Sequence, residues 1–332
     1  MKQKHFNEIV TLHRGYDLPS DDREEGTYPL FSSNGLTDHI SSFKIKGPGV
    51  VTGRSGTIGN VFYSNDDFWP LNTTLYVSDF HGNNPKYIQY WLSSFPLKNF
   101  ASGASVPTLN RNELIGVFCK VHSLNEQQHI VDTIGSVDSL IELNQEKISK
   151  IKRLATQKYE FLYKAYPKSA IGKKLKFIKG KQPKFASKED GLPYLVIDDL
   201  ASNIYTHFSS EGLACDENDV LMVMDGASSG KVFTGNKGYV GSTLAKLSSP
   251  QIKPSILYFG LAKFEEEIMK NTTGSAIPHT DKSFVCELQI IDDLDDKTTD
   301  FFDFCLNQIC NLRTQNSLLN IHKEILLQKF FH

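Results

Sequence analysis

Val50-Val51-Thr52-Gly53-Arg54-Ser55-Gly56-Thr57-Ile58-Gly59-Asn60-Val61-Phe62 and Val220-Leu221-Met222-Val223-Met224-Asp225-Gly226-Ala227-Ser228-Ser229-Gly230-Lys231-Val232-Phe233 are two spellings of one segment. In each, a β-branched run meets a glycine-rich loop and returns through Val-Phe, the pattern of a hairpin with a tight tip. The likeness continues outward. Gly15, Gly26, Gly56, Gly59, Gly103 and Pro107 are answered by Gly180, Gly191, Gly226, Gly230, Gly274 and Pro278, an offset running from 165 (15 to 180) to 171 (107 to 278). That period is domain-sized and far beyond the roughly 20–50 residues of solenoid repeats. The chain is a diverged tandem duplication. Proline opens a short helical stretch in each half, Pro85 to Leu92 and Pro254 to Leu261, where a first-turn proline fits.

Each half then enters a long amphipathic stretch. Ile130, Ile134, Val137, Ile141, Asn144, Ile148, Ile151 and Ala155 recur in alternating steps of four and three. So do Phe302, Cys305, Ile309, Leu312, Asn316, Leu319, Lys323, Leu326 and Phe330, starting with a step of three. These are heptad seams, and each carries one asparagine, Asn144 or Asn316, of the kind that costs stability but fixes register. The expected fold is α+β: two pseudo-symmetric mixed α/β modules separated by an antiparallel two-helix coiled coil. The expected boundaries are 1–123 for the first module, 124–166 for the first helix, ended by Tyr166-Pro167, 167–293 for the second module and 294–332 for the second helix. The alternative packs each helix on its own module, which two such regular seams speak against.

Composition bounds the rest. The 332 residues suffice for two cores, and 39% hydrophobic with 22% charged residues describes a folded globular chain. Five cysteines (Cys119, Cys215, Cys286, Cys305, Cys310) form no C-x-x-C pair, so neither structural zinc nor a disulfide framework is expected and a reducing cytoplasm fits. No secretory signal follows Met1-Lys2-Gln3-Lys4, and no apolar run nears the ~18 residues of a membrane span. With 36 basic and 38 acidic residues the net charge of −2 lacks the basic surplus of a self-sufficient DNA binder. The one basic concentration, Lys173, Lys174, Lys176, Lys179, Lys181, Lys184 and Lys188, reads either as a solvated loop or as a phosphate-facing patch.

Catalytic signatures are missing. Gly53 to Gly59 lacks the order of a dinucleotide loop and any Walker lysine, the histidines show no H-x-E or H-E-x-x-H spacing, and no G-x-S-x-G elbow occurs. The acid pairs Asp66-Asp67, Asp198-Asp199 and Asp292-Asp293 flank loop-like segments, where solvated surface is the default reading. Neither a catalytic nor a metal site is expected. The loops are instead dense in side chains that read base edges and phosphates. In the first half these are Asn34, Arg54, Ser55, Asn72, Thr73, Ser105, Thr108, Asn110 and Arg111. In the second they are Asp225, Ser228, Ser229, Lys231, Ser242, Thr243, Ser275, His279 and Thr280.

Taken in order, Tyr28 to Gly35, Gly47 to Gly59, Gly103 to Asn110 and Leu124 to Val131 resemble the specificity subunit of type I restriction-modification systems, with a looser match at Gly191 to Leu195, Asp219 to Val232 and Gly274 to Pro278. Where the first helix begins with Glu126-Gln127, the second has Asp295-Asp296, a departure from the family pattern. The resemblance implies a non-catalytic subunit of a host-defence complex, in which each module is a target-recognition domain for half of a two-part sequence in double-stranded DNA. It implies partners too: two modification subunits that methylate adenine with S-adenosylmethionine, and restriction or motor subunits that use ATP and Mg, with no cofactor on this chain. The segment Asn84-Pro85-Lys86 lacks the second proline and the aromatic of an adenine methyltransferase motif. Two other classes stay open on the residues alone, an enzyme with an unrecognised site and a coiled-coil scaffold without a DNA role.

Overall fold

The computed structural model describes every residue except 104–106, 203, 275 and 292, together with the side chain of residue 173. Ser105 and Ser275, two of the candidate DNA contacts, and Asp292 lie outside the described residues. The chain packs as two units, Met1–Asp138 with Lys323–His332, and Ser139–His322.

In the first unit a four-stranded antiparallel sheet runs in the order Thr11–Arg14, Thr74–Asp79, Gly49–Gly53, Val61–Ser64. A smaller sheet orders Gly35–Ile40, Glu25–Ser32 and Trp69–Pro70, the last pairing parallel. The helix Pro85–Ser94 starts on Pro85, and its N-cap Asn84 accepts from the amides of Lys86 and Tyr87. Its face of Tyr87, Ile88, Trp91 and Leu92 meets Val50, Leu75 and Val77 of the sheet in the buried core.

The second unit repeats this plan. Lys176–Lys179, Leu244–Ser248, Val220–Val223 and Val232–Phe233 form the four-stranded sheet in the same order. Leu192–Leu195 again pairs parallel, here with Gly238–Val240, and Ala214–Cys215 adds an edge strand without a counterpart among the described residues of the first unit. The helix Pro254–Lys263 stands where Pro85–Ser94 does. Sterics explain why the repeat keeps its glycines. A Cβ on Gly15 would sit 2.2 Å from the Leu71 carbonyl oxygen, and one on Gly180 would sit 2.2 Å from that of Gly241. Gly56 and Gly226 turn at φ of +86° and +106°, a backbone conformation that side chains resist.

Two long helices, Leu124–Ala165 and Asp296–Phe331, carry the seams. Over 42 residues the first is about 63 Å long at 1.5 Å per residue. Glu126 caps it by accepting from the amide and hydroxyl of Ser123. Gln127, fully buried, bonds to Asn83 and to the Asn84 amide. In the second helix Asp295 is the capping residue, accepting from the amide and hydroxyl of Thr298. Asp295 therefore stands at the position of Ser123, so the matching of Asp295-Asp296 with Glu126-Gln127 is three residues out of register.

The seams run antiparallel within each unit. In the second unit Tyr159 meets Phe302 at 5.9 Å between ring centres, and Asn144 donates to Asn316 across the buried seam at 2.9 Å. In the first unit His129 faces Phe330, and Lys323, the charged seam residue, pairs with Asp138 at 2.6 Å. The helix ends are also core elements. Phe330 and Phe331 pack on the first unit's core, with Phe331 5.6 Å from Tyr87, while fully buried Tyr159 accepts from the Ile291 amide in the second. Each of the two helices contributes residues to both units, unlike the arrangement in which each packs on its own module. A buried arginine the periodicity did not reveal, Arg313, donates to the Leu200 carbonyl and to Asn236. Asp199, read as solvated, is buried and accepts from the amide and hydroxyl of Thr206. No described helix is long and apolar enough to cross a membrane.

Replacing Asn144 by leucine leaves the side-chain oxygen of Asn316 without its donor in an apolar seam and should cost about 1–3 kcal/mol. The double change Asn144→Leu with Asn316→Leu removes both polar groups and should recover most or all of that loss. Urea denaturation of the two variants reads the difference, and an unchanged midpoint for Asn144→Leu would remove the asparagine pair as a stabilising contact.

Candidate nucleic-acid interface

The hairpin tip in the first unit is held by main-chain groups. The Thr73 carbonyl accepts the amides of Arg54 and Ser55 at 2.9 and 3.1 Å, and the Arg54 carbonyl accepts that of Leu109 at 2.8 Å. Ser55 also makes a bridge with Thr108. The second unit repeats each contact. The Thr243 carbonyl accepts Met224 and Asp225 at 2.8 and 3.3 Å, the Met224 carbonyl accepts Thr280 at 2.9 Å, and Asp225 bridges His279. These bonds align the halves residue by residue: Arg54 with Met224, Ser55 with Asp225, and Thr108 with His279. Arg54-Ser55 is thus matched by Met224-Asp225, with Ser228-Ser229 lying further along the loop.

What the tips present differs. In the first unit a cleft of about 420 Å³ is lined by Arg14, Arg54, Ser102, Thr108, Asn110 and Arg111 among others, and among the described residues no carboxylate lines it. Arg111 donates to the Leu12 carbonyl at 3.1 Å and Arg14 to that of Asn72 at 3.4 Å, contacts that leave donors on each guanidinium for a ligand. No hydrogen bond or ion pair engages the Arg54 side chain among the described residues. Three guanidinium groups around one cleft give it the charge and donor geometry that suit anionic oxygens and acceptor edges. A second cleft, about 440 Å³, holds Asp17, Arg23, Asn34, Asn72 and Thr73. Asn72 donates to Asp17 there, and Asn34 accepts from Thr57 at 2.6 Å.

In the second unit Asp225 is clasped between Lys179 at 2.8 Å and His279 at 2.7 Å. Burial pushes its carboxyl up, but those hydrogen bonds and charges outweigh burial and hold it below the ordinary carboxylate range. Lys282 stands over the Phe177 ring at 5.7 Å.

The remaining candidates divide between presentation and support. Ser228, Lys231 and Ser242 are half-buried beside the tip. Ser229 is buried and donates to the Gly226 and Pro278 carbonyls, while buried Thr280 donates to that of Val223. Both hydroxyls are spent inside the fold, so these two residues are supports and not surface readers. Asn110 caps a short turn by accepting from the Asn112 amide, as Asp281 caps its helix from Ser283. Thr73 and Thr243 act through their carbonyls, and Thr73 also accepts from the Ser33 amide. Among Arg14, Arg23, Lys179 and Lys282, sequence reasoning reaches only Lys179, as part of the lysine run 173–188. For the first and third the signal was present, since each immediately precedes a glycine of the matched pair Gly15 and Gly180. Among the described residues no group of three or more His, Cys, Asp or Glu side chains is placed to hold a metal ion.

Asp225→Asn should change the acid response in a defined direction. A carboxyl held low in the fold contributes stability that is complete above its unfolded value of about 3.9 and is lost as pH falls through the folded value. Wild type minus variant stability, from urea midpoints between neutral pH and pH 2.5, should be level at neutral pH and shrink only in the acid range. A difference that grows on acidification would contradict the ion-pair geometry.

Comparison with other proteins agrees with this architecture. Residues 1–153 match the family model of the type I restriction modification DNA specificity domain. The type I restriction enzyme MjaVIII specificity subunit of Methanocaldococcus jannaschii is 31% identical over 175 residues, covering 48% of this chain and 40% of that protein. This chain thus matches less than half the length of that relative. A crystal structure of a type I restriction-modification S subunit from M. genitalium superposes with a TM-score of 0.55 at 18% identity, covering all of this chain and 96% of that one, a likeness of fold. Residues 1–153 thus resemble the type I restriction modification DNA specificity domain, and the internal repeat carries the same sheet order and tip geometry into the second half of the chain.

Proposed function

We propose that the chain is the specificity subunit of a type I restriction-modification complex, reading a bipartite sequence in double-stranded DNA with one half-site per module. The observation that carries this reading is the pair of tips. The same backbone hydrogen bonds hold both, yet the side chains at equivalent places differ: Arg54, Ser55 and Thr108 against core-buried Met224, half-buried Asp225 and exposed His279. A common scaffold with unlike readers suits two unlike half-sites. Arginine suits guanine, carboxylate suits the cytosine amine, and each good pair discriminates by about 1–3 kcal/mol. In this reading the chain is not itself an enzyme and binds no cofactor. Two modification subunits supply S-adenosylmethionine-dependent adenine methylation, and restriction or motor subunits supply ATP- and Mg-dependent chemistry in the cytoplasm. The net charge of −2 fits a subunit whose partners share the grip on phosphate. The helices would space the half-sites and dock the modification subunits.

Replacing residues 1–120 by the first module of another family member should change one half of the methylated sequence and leave the other intact. Methylated adenines mapped across a host genome read this directly. A change in both halves, or in neither, contradicts the modular reading. Incubating the pure chain with DNA, magnesium and S-adenosylmethionine tests the enzyme alternative, and no turnover is expected.

The spacer has its own test. Four residues inserted after Lys150 lengthen the helix by about 6 Å and a little over one turn. Both half-sites should survive while the number of unspecified bases between them changes. Retained binding with an unaltered gap would defeat the spacer role.

A further inference from the structure

The duplication supplies an internal alignment of the interface, because each backbone contact has a counterpart 170 or 171 residues on (Arg54 to Met224, Leu109 to Thr280). Extending it outward from Gly15 and Gly180 pairs Arg14 with Lys179, and from Leu109 and Thr280 it pairs Arg111 with Lys282. The latter pairing is independently supported. Arg111 leans on Leu12 and Lys282 on Phe177, and these two occupy matching places, three residues before the paired glycines. Two positions flanking each tip therefore keep a cation while the positions between them do not keep their chemistry. That division is the one expected of DNA contacts. Phosphates present the same charge at every site, whereas base edges differ.

Asp225 pairs with one of these kept cations. A bare carboxylate facing a polyanion is repelled, so a carboxylate kept in such a place needs a neutralising neighbour and a donor to recognise. Lys179 at 2.8 Å is the neighbour. Lys179 and His279 each approach one carboxylate oxygen, leaving roughly two of its four acceptor sites for a ligand. We propose that Asp225 is the specificity-determining residue of the second module, accepting from the exocyclic amine of a cytosine in the major groove, and that Lys282 with Arg111 are sequence-blind phosphate anchors. His279, a positioning residue, holds the second carboxylate oxygen. The assignment rests on the reading of the chain as a DNA specificity subunit.

The test is selection from a random duplex pool by the full chain with a type I modification subunit present. Asp225→Asn should lose a cytosine at one position of one half-site, by roughly 5- to 150-fold in relative affinity. The other half-site should stand, and affinity for unrelated duplex should rise as one negative charge is removed. Asp225→Ser, which installs the residue found at the matched position of the first module, should give the same loss. Thermal melting of each variant guards against a folding defect. Lys282→Ala and Arg111→Ala should each weaken binding to all sequences alike and lower the slope of log affinity against log salt by about 1, with the selected sequence unchanged. If both folded Asp225 variants select the wild-type sequence, or if Lys282→Ala alters it, the assignment is overturned. A wild-type chain that selects no sequence sinks the DNA reading itself, and this assignment with it.

Discussion

The carbonyl oxygens of Thr73 and Thr243 each accept two backbone amides from a hairpin tip, and the tip's own carbonyl accepts a third from the strand after the glycine-proline loop. Main-chain groups carry all of this, so the tip's position is indifferent to which side chains it bears. Glycines are constrained where the chain crosses itself too closely for a Cβ or turns through positive φ, and Ser229 and Thr280 where their hydroxyls close on carbonyls beside the tip. A surface built this way can exchange Ser55 for Asp225 on the same backbone bonds, whereas half-buried Arg54 is matched by Met224, which is buried in the second unit's core. The duplicated halves are an instance of that exchange, since the scaffold bonds agree within a few tenths of an ångström while the presented chemistry runs from guanidinium to carboxylate.

The helices solve a different problem. A module of this size leaves an apolar flank beside its proline-started helix, and in each unit that flank is covered by the end of a long helix, by Phe330 and Phe331 in one and Tyr159 in the other. The seam between is mostly aliphatic but interrupted by the Asn144–Asn316 bond and the Lys323–Asp138 pair. A uniform apolar seam would be more stable and could slip by a heptad. A single buried amide pair makes every slipped register leave two polar groups unsatisfied, at about 1–3 kcal/mol each.

Much of this was legible in the residues because duplication writes each constraint twice. Gly15 and Gly180 are conspicuous together and unremarkable apart. The 4-3 spacing marks Asn144 and Asn316 as the one asparagine of each seam, and the fold sets them opposite each other. What escaped was anything decided by a residue's partners across the fold. Ser229 and Thr280 are the residue types of surface readers, yet their hydroxyls close on carbonyls that only the folded chain brings near. Asp199 and Arg313 are charged residues whose burial depends on partners several to many residues away. The capping mismatch at Asp295 arose because an acid can serve at the cap itself or three residues later, and the first turn of a helix looks acidic in both cases.

Charge ties these strands together. Summed over the chain, basic and acidic residues nearly cancel, and on that ground the protein lacks the signature of an independent DNA binder. The fold redistributes that balance. Three guanidiniums converge on one cleft in the first unit with no carboxylate among its described lining, while in the second a lysine and a histidine surround the single acid at the tip. Potential near a cleft depends on the few charges that line it, because beyond about 8–10 Å salt screens the rest. A net-charge criterion averages over just the distances at which nothing is felt. The two interfaces should therefore differ in their electrostatics, the first more strongly cationic than the second, a difference invisible in the composition and set by which residue each half places after the same two carbonyl-bound amides.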